Sequence, residues 1–202
     1  MSGLNATLAI GDLSLRAGYN KADISLSFLS PPVPLPALVG NATSFSSVGM
    51  TYDDGAWFAA VEATRFSLDG FYTDTDAAFV SVGHYVGKWL PYAMFSKSNA
   101  VKGDECRGEL TRFYSPTMGP ASPAVAESVC RGIEKEQTSY SLGARYDISR
   151  RTSLKMQVDH VTAFHNTPGF FYFAPGGSGP ASGTLSDDES TEVITVNINT
   201  AF

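Results

Sequence analysis

Charge is scarce in this chain. Only 17% of its 202 residues are Asp, Glu, Lys or Arg, against about 25% in ordinary soluble domains. The balance is acidic, with 14 basic side chains against 20 acidic ones and a net charge of −6. No basic run offsets it, which excludes nucleic acid as a partner class. No apolar run reaches the roughly 18 residues that a membrane-spanning helix needs. Cysteine occurs only as Cys106 and Cys130, and the three histidines, His84, His160 and His165, form no metal-ligand spacing. There is no G-x-S-x-G, no H-E-x-x-H and no phosphate loop, so neither enzyme activity nor a cofactor is expected. The opening Met1-Ser2-Gly3-Leu4-Asn5 lacks the basic and apolar segments of a signal peptide. Such a start fits a cytoplasmic protein, and equally a mature or truncated exported one.

Aromatic residues make up 12% of the chain, with 13 Phe and 9 Tyr, beside 19 Gly and 11 Pro. Disordered chains are poor in aromatics and rich in charge, so disorder is excluded as a whole-chain description. The dominant pattern has period two. Ile194, Val196, Ile198, Thr200 and Phe202 alternate with Val193, Thr195, Asn197, Asn199 and Ala201. Tyr140, Leu142, Ala144 and Tyr146, then Leu154, Met156, Val158 and His160, mark two strands joined across Ile148–Thr152. Upstream, Ala78, Val80, Val82 and His84 form one strand, and Leu90, Tyr92 and Met94 are taken as the apolar face of the next. Val48, Met50 and Tyr52 lead through Asp53-Asp54-Gly55 into Trp57, Ala59, Val61 and Ala63. Leu4 to Ile10 and Leu13 to Tyr19 flank Gly11-Asp12. The pattern predicts an all-β antiparallel meander of about nine strands, each roughly 8–11 residues long.

Short and long connections alternate. Gly11-Asp12, Asp53-Asp54-Gly55, Val86-Gly87-Lys88 and Ile148–Thr152 are short. Asp23 to Ser44, Asp69 to Asp76, Asn99 to Thr138 and Asn166 to Ser190 are longer and hold most of the Gly, Pro and Ser. Residues 121–137 allow at most a short helix inside a loop. Compact domains rarely contain structureless connections beyond about 12–15 residues, whereas outer-membrane barrels join short periplasmic turns to long extracellular loops. A soluble sandwich would also alternate. Strand length, the order of the connections and aromatics near strand ends (Tyr19, Tyr52, Trp57, Tyr92, Tyr140, Tyr146) favour the transmembrane barrel.

On that reading Arg16, Glu62, Lys97, Arg145, Lys155, Gln157 and Asp159 share the inward phase of their strands and line a wet lumen. Their bland role is only to keep that lumen solvated. Asp53-Asp54 and Asp187-Asp188-Glu189 read as solvated turns, and no metal site is expected. Cys106 and Cys130, with 23 residues between them, are either two unrelated thiols or a disulfide closing an exported loop.

The terminal strand Val193 to Phe202 resembles the C-terminal strand of bacterial outer-membrane porins. Gly83-His84-Tyr85-Val86-Gly87-Lys88-Trp89-Leu90-Pro91-Tyr92 resembles a strand–turn–strand run common in porin-like barrels. Leu142-Gly143-Ala144-Arg145-Tyr146-Asp147-Ile148-Ser149 resembles their penultimate hairpin. The likeness covers Gly83 to Phe202. It implies passive diffusion of small hydrophilic solutes or ions across the outer membrane of a Gram-negative bacterium. Membrane lipid and the assembly machinery would be partners, and trimers are usual in the family. Phe202, Ile198, Val196 and Ile194 would form the assembly signal. An extracellular Cys106–Cys130 loop would be oxidised. In the family both barrel termini face the periplasm. Nine strands would leave residue 1 on the other side, so either one strand is miscounted or the chain is part of a larger barrel. The second is favoured, and residues 1–202 are expected to be one β-barrel domain, the carboxyl part of a barrel of about 16 strands. The alternatives are a structural or adhesive outer-membrane barrel and a soluble β-rich binding module.

Overall fold

The computed structural model describes residues 1–26, 38–70, 74–101, 104–109, 111, 126–127, 130–131, 133–163, 165, 167 and 189–201. Nine strands follow one another in the chain: β1 (Ser2–Ile10), β2 (Leu13–Leu26), β3 (Leu38–Asp53), β4 (Trp57–Leu68), β5 (Asp74–His84), β6 (Trp89–Val101), β7 (Gln137–Asp147), β8 (Thr152–Thr162) and β9 (Thr191–Thr200). Each pairs antiparallel with the next, so the spatial order equals the chain order. The expected nine-strand meander is present. The sheet is open: β1 and β9 are paired along one side only, and closure into a barrel is not shown.

The short connections use left-handed glycines where the chain must reverse tightly, at Gly11, Gly55 and Gly87 with φ of 58°, 80° and 63°. Neighbouring turns are also bonded to one another. The Asp53 amide donates to the Asp12 carbonyl (2.9 Å), Tyr85 to Ala56 (2.8 Å), Asp147 to Lys88 (2.9 Å) and Ala201 to Arg151 (2.9 Å). A continuous backbone belt therefore runs along this rim.

The register staggers in one sense across the sheet. The row through Ile10, at the end of β1, passes Leu13, Tyr52, Ala59, Val82, Ala93, Leu142, Val158 and Ile194. By β9 it lies six residues short of the strand end at Thr200. A monotonic stagger of this kind means strands inclined to the axis of a curved sheet.

Exposure is inverted relative to a soluble sheet. One face carries the apolar set and is open, with Leu142 70% and Ile194 76% exposed. The other carries small and polar groups and is crowded, with Ser98 4% and Ser141 2% exposed. Crowding on one face and openness on the other is what curvature produces, so the polar face is the concave one.

Three expectations are corrected. β2 and β3, at 14 and 16 residues, run well into the segment expected as a loop between Asp23 and Ser44. The phase of β6 is reversed: Pro91, Ala93 and Phe95 are exposed on the apolar face, while Leu90 is 5% exposed and turned inward with Tyr92 and Met94. Consequently Tyr92 leaves the expected aromatic girdle, and Lys97 sits on the outer face instead of the polar one. The cause is space. Tyr92 pairs with Gly83 on one side and Gly143 on the other, and two neighbours without side chains leave room for its ring on the inner face.

The outer face has a level boundary. Lys21, Arg65, Lys97 and His160 each lie eight residues beyond the first residue of β2, β4, β6 and β8. Asp76 and Glu192 lie eight residues before the last residue of β5 and β9. These groups occupy different hydrogen-bonded rows but equal distances from the short-turn rim. Eight residues span about 26 Å along a strand, or about 20 Å along an axis inclined to the strands by about 40°.

Candidate functional site

Arg16, Glu62, Arg145, Lys155, Gln157 and Asp159 share the concave face, placed there by β2, β4, β7 and β8. They form two groups. In the first, Arg16 Nη2 lies 3.1 Å from Glu62 Oε2. The two residues are not on adjacent strands. They reach across β3 at Gly49, which pairs with both. A Cβ on Gly49 would lie 3.4 Å from the Glu62 side chain, so the glycine leaves the bridge its path.

The second group is centred on Tyr92. Its hydroxyl donates to Gln157 Oε1 at 2.7 Å, and Gln157 Nε2 donates to Asp159 Oδ1 at 2.6 Å. The Lys155 ammonium stands 5.2 Å from the centre of the Tyr92 ring, a cation–π geometry. The tyrosine reaches β8 by crossing β7 over Gly143. A Cβ there would fall 2.3 Å from the Tyr92 hydroxyl oxygen, closer than atoms can approach. Toward the short-turn rim, Arg145 Nε donates to Asp147 Oδ1 at 2.8 Å, and the Tyr85 hydroxyl donates to Asp53 Oδ2 at 3.0 Å. Asp54 accepts from the amides of Ala56 (2.8 Å) and Trp57 (2.6 Å) and from the Tyr52 hydroxyl (2.9 Å). The Trp57 and Ala56 amides, then Tyr52, hold its carboxyl below the ordinary carboxylate range.

At the opposite end, Cys106 and Cys130 are bonded to each other. Residues 104–109 are helical, and Arg107 pairs with Glu127 and with Glu134 at 3.3 Å. Arg131 pairs with Glu127 at 2.6 Å. Hydrogen bonds from Arg107 and Arg131 keep the Glu127 carboxyl low, while burial pushes the Glu134 carboxyl up and the Lys135 ammonium down. Ser98 donates to the Lys135 carbonyl at 2.7 Å, and Arg131 to the His165 carbonyl at 3.2 Å. This unit is tied to the sheet and to the connection after β8.

Ile194, Val196 and Ile198 are exposed on the outer face of β9, whereas Phe202 lies outside the described residues, as do Asp187 and Asp188. Among the described residues no group of three or more His, Cys, Asp or Glu could hold a metal ion. Chemically the concave face offers fixed charges of both signs and hydrogen-bonding groups. The sequence reading missed Gly49 and Gly143. Their signal was glycine inside a strand, which marks a close approach of a neighbouring group.

No protein-family model matches the chain, and no curated protein matches it. Among solved structures it is similar to in-vitro folded OmpT, an outer membrane protein of Vibrio cholerae, in its trimer form. That match has 15% identity and a TM-score of 0.49, over 97% of this chain and 52% of the other. The loop L8 deletion mutant of OmpT matches at 14% identity and a TM-score of 0.48, over 79% of this chain and 47% of the other. The chain thus spans about half the length of the structures it matches. The likeness to this outer membrane protein is distant.

Proposed function

We propose that this chain is part of an outer-membrane β-barrel that lets small hydrophilic solutes or ions diffuse passively, with the concave face lining the pore. One observation carries the reading. Most of the large apolar side chains lie on the open face, whose charges gather at its boundary, and the concave face carries small and polar groups with charges of both signs. In water that arrangement exposes a large continuous apolar surface. In a bilayer the same surface is satisfied by lipid and the polar face by a water-filled lumen. The reading requires partners for the two unpaired sheet edges, because backbone groups at an open edge cannot be left unpaired in lipid. Further strands would complete the barrel beside β1 and β9.

The Arg16–Glu62 bridge and the Tyr92–Gln157–Asp159 group would then set the local potential along the wall. The test is single-channel conductance of the purified protein in planar bilayers. Stepwise conductance is expected, with ion preference moving toward anions in Glu62→Gln, which leaves Arg16 uncompensated. A folded, inserted protein without conductance would overturn the channel and favour a structural or adhesive barrel.

A further inference from the structure

The charge that departs from the sequence expectation points to a second site. Lys97 stands on the apolar face, among the described residues without an ion pair or hydrogen bond. It borders a trough of about 590 Å³ whose floor is made by Val48, Ala63 and Ala78. The far wall is Arg65, bonded to Asp76 twice, Nε to Oδ1 at 2.6 Å and Nη2 to Oδ2 at 2.5 Å. Arg65 and Asp76 neutralise each other, so the trough carries one uncompensated positive charge.

We propose that this trough binds one membrane lipid with an anionic phosphate headgroup, its phosphate on Lys97 and an acyl chain along Val48, Ala63 and Ala78, with phosphatidylglycerol as the probe. The inference rests on the reading that the outer face meets lipid. Three features favour this occupant. The floor is of small side chains, apolar at Val48, Ala63 and Ala78, with the polar Ser46 and Asn99 only at the level of Arg65 and Asp76, which suits a hydrocarbon chain below a polar headgroup. The positive charge lies on the boundary of the apolar band, level with His160 and Glu192, where headgroups sit. There a basic residue attracts anionic lipid instead of incurring the cost it meets at the bilayer midplane. A second outer trough, of about 650 Å³ between Val80 and Glu192, supplies the contrast. Its charged end is His160 closed onto Glu192 at 2.6 Å, and it holds no comparable free cation.

The experiment uses the complete protein, with any strands that flank β1 and β9, folded in zwitterionic micelles. Native mass spectrometry follows incubation with phosphatidylglycerol, phosphatidylcholine or inorganic phosphate. One phosphatidylglycerol should be retained in preference to phosphatidylcholine, and inorganic phosphate should neither bind nor displace it. Lys97→Ala should weaken retention about fivefold, the change that one basic residue near an anionic surface carries, and Lys97→Arg should keep it. Lys21→Ala, at the same level but outside the trough, should leave retention unchanged. Ala78→Trp should abolish it while the heat-modifiable β form persists. Equal retention of both lipids, equal losses in the two lysine-to-alanine variants, displacement by phosphate, or an oligomer that covers the trough and retains no lipid would each overturn the site. A chain that forms no heat-modifiable β form in micelles would overturn the membrane reading itself, and that result is separate from any lipid readout.

Discussion

At the residue scale, Leu142 separates lipid from water as the solvent of the outer face. It is 70% exposed and lies near the middle of the apolar band. In a water-soluble sheet Leu142→Arg would be harmless. Facing lipid, an arginine near the midplane should cost about 2–4 kcal/mol, read as a lower urea midpoint for unfolding from lipid vesicles. An unchanged midpoint would count against lipid contact. On the concave face the informative residue is Gly143. Gly143→Val must displace the Tyr92 ring and break its bond to Gln157. Tyr92→Phe removes the hydroxyl alone, at about 1 kcal/mol. Gly143→Val should therefore destabilise more than Tyr92→Phe, and the double variant should recover only part of the loss, because the ring carbon that bears the hydroxyl meets the new side chain as closely as the hydroxyl does. Urea titration of the three proteins checks the order.

At the scale of the element, the β3–β4 turn has a pH dependence of definite sign. The Asp54 carboxyl is lowered by amide and hydroxyl donors. Its support of the turn is thus complete above the unfolded-state value of about 3.9 and fades as the pH falls through the lower folded-state value. Amide exchange at Trp57 should accelerate in that acid window, whereas in Asp54→Asn, whose amide oxygen still accepts, it should not change there. The β6–β7 connection makes a redox prediction. Protein taken from the membrane should carry Cys106 and Cys130 oxidised, by non-reducing mass spectrometry, and reduction should speed proteolysis between β6 and β7 more than it loosens the sheet. Legibility in the sequence differed from strand to strand. β5, β7, β8 and β9 alternate apolar with small or polar residues, and their faces follow directly. β6 is apolar on both faces, with Leu90, Tyr92 and Met94 against Ala93 and Phe95, so period two alone could not choose. The choice lay with Gly83 and Gly143 on neighbouring strands. In the extension of β2, Ile24 and Leu26 do alternate with Asp23 and Ser25, but the run is only four residues long. The extension of β3, Leu38 to Ser44, mixes Gly40, Asn41, Thr43 and Ser44 with its apolar residues and lacks a period of two. The site charges were visible, but Arg16 with Glu62 and Tyr92 with Gln157 meet only through a register spanning an intermediate strand.

For the whole molecule, the decisive question is what pairs with β1 and β9. If further strands complete the barrel, the amides of both should exchange as slowly in the native protein as those of β5. Rapid exchange confined to β1 and β9 would mean that the sheet stays open and that no pore is enclosed. The same comparison bears on conductance, because an open sheet has no lumen for Arg16 and Glu62 to polarise.

The level boundary of charged groups on the outer face has a further consequence. Because it follows the short-turn rim and not the hydrogen-bonded rows, it fixes a hydrophobic thickness. If the outer face meets lipid as proposed, the protein suits a thin hydrocarbon layer, since about 20 Å from rim to boundary falls short of the roughly 30 Å core of a typical bilayer. Lipids with long chains would have to compress around the sheet or submerge Arg65, Asp76 and Lys97, at a modest cost per ångström of mismatch. Folding efficiency into vesicles should therefore decline as chain length increases. Acyl length, as much as headgroup charge, would decide in which membrane this sheet can settle.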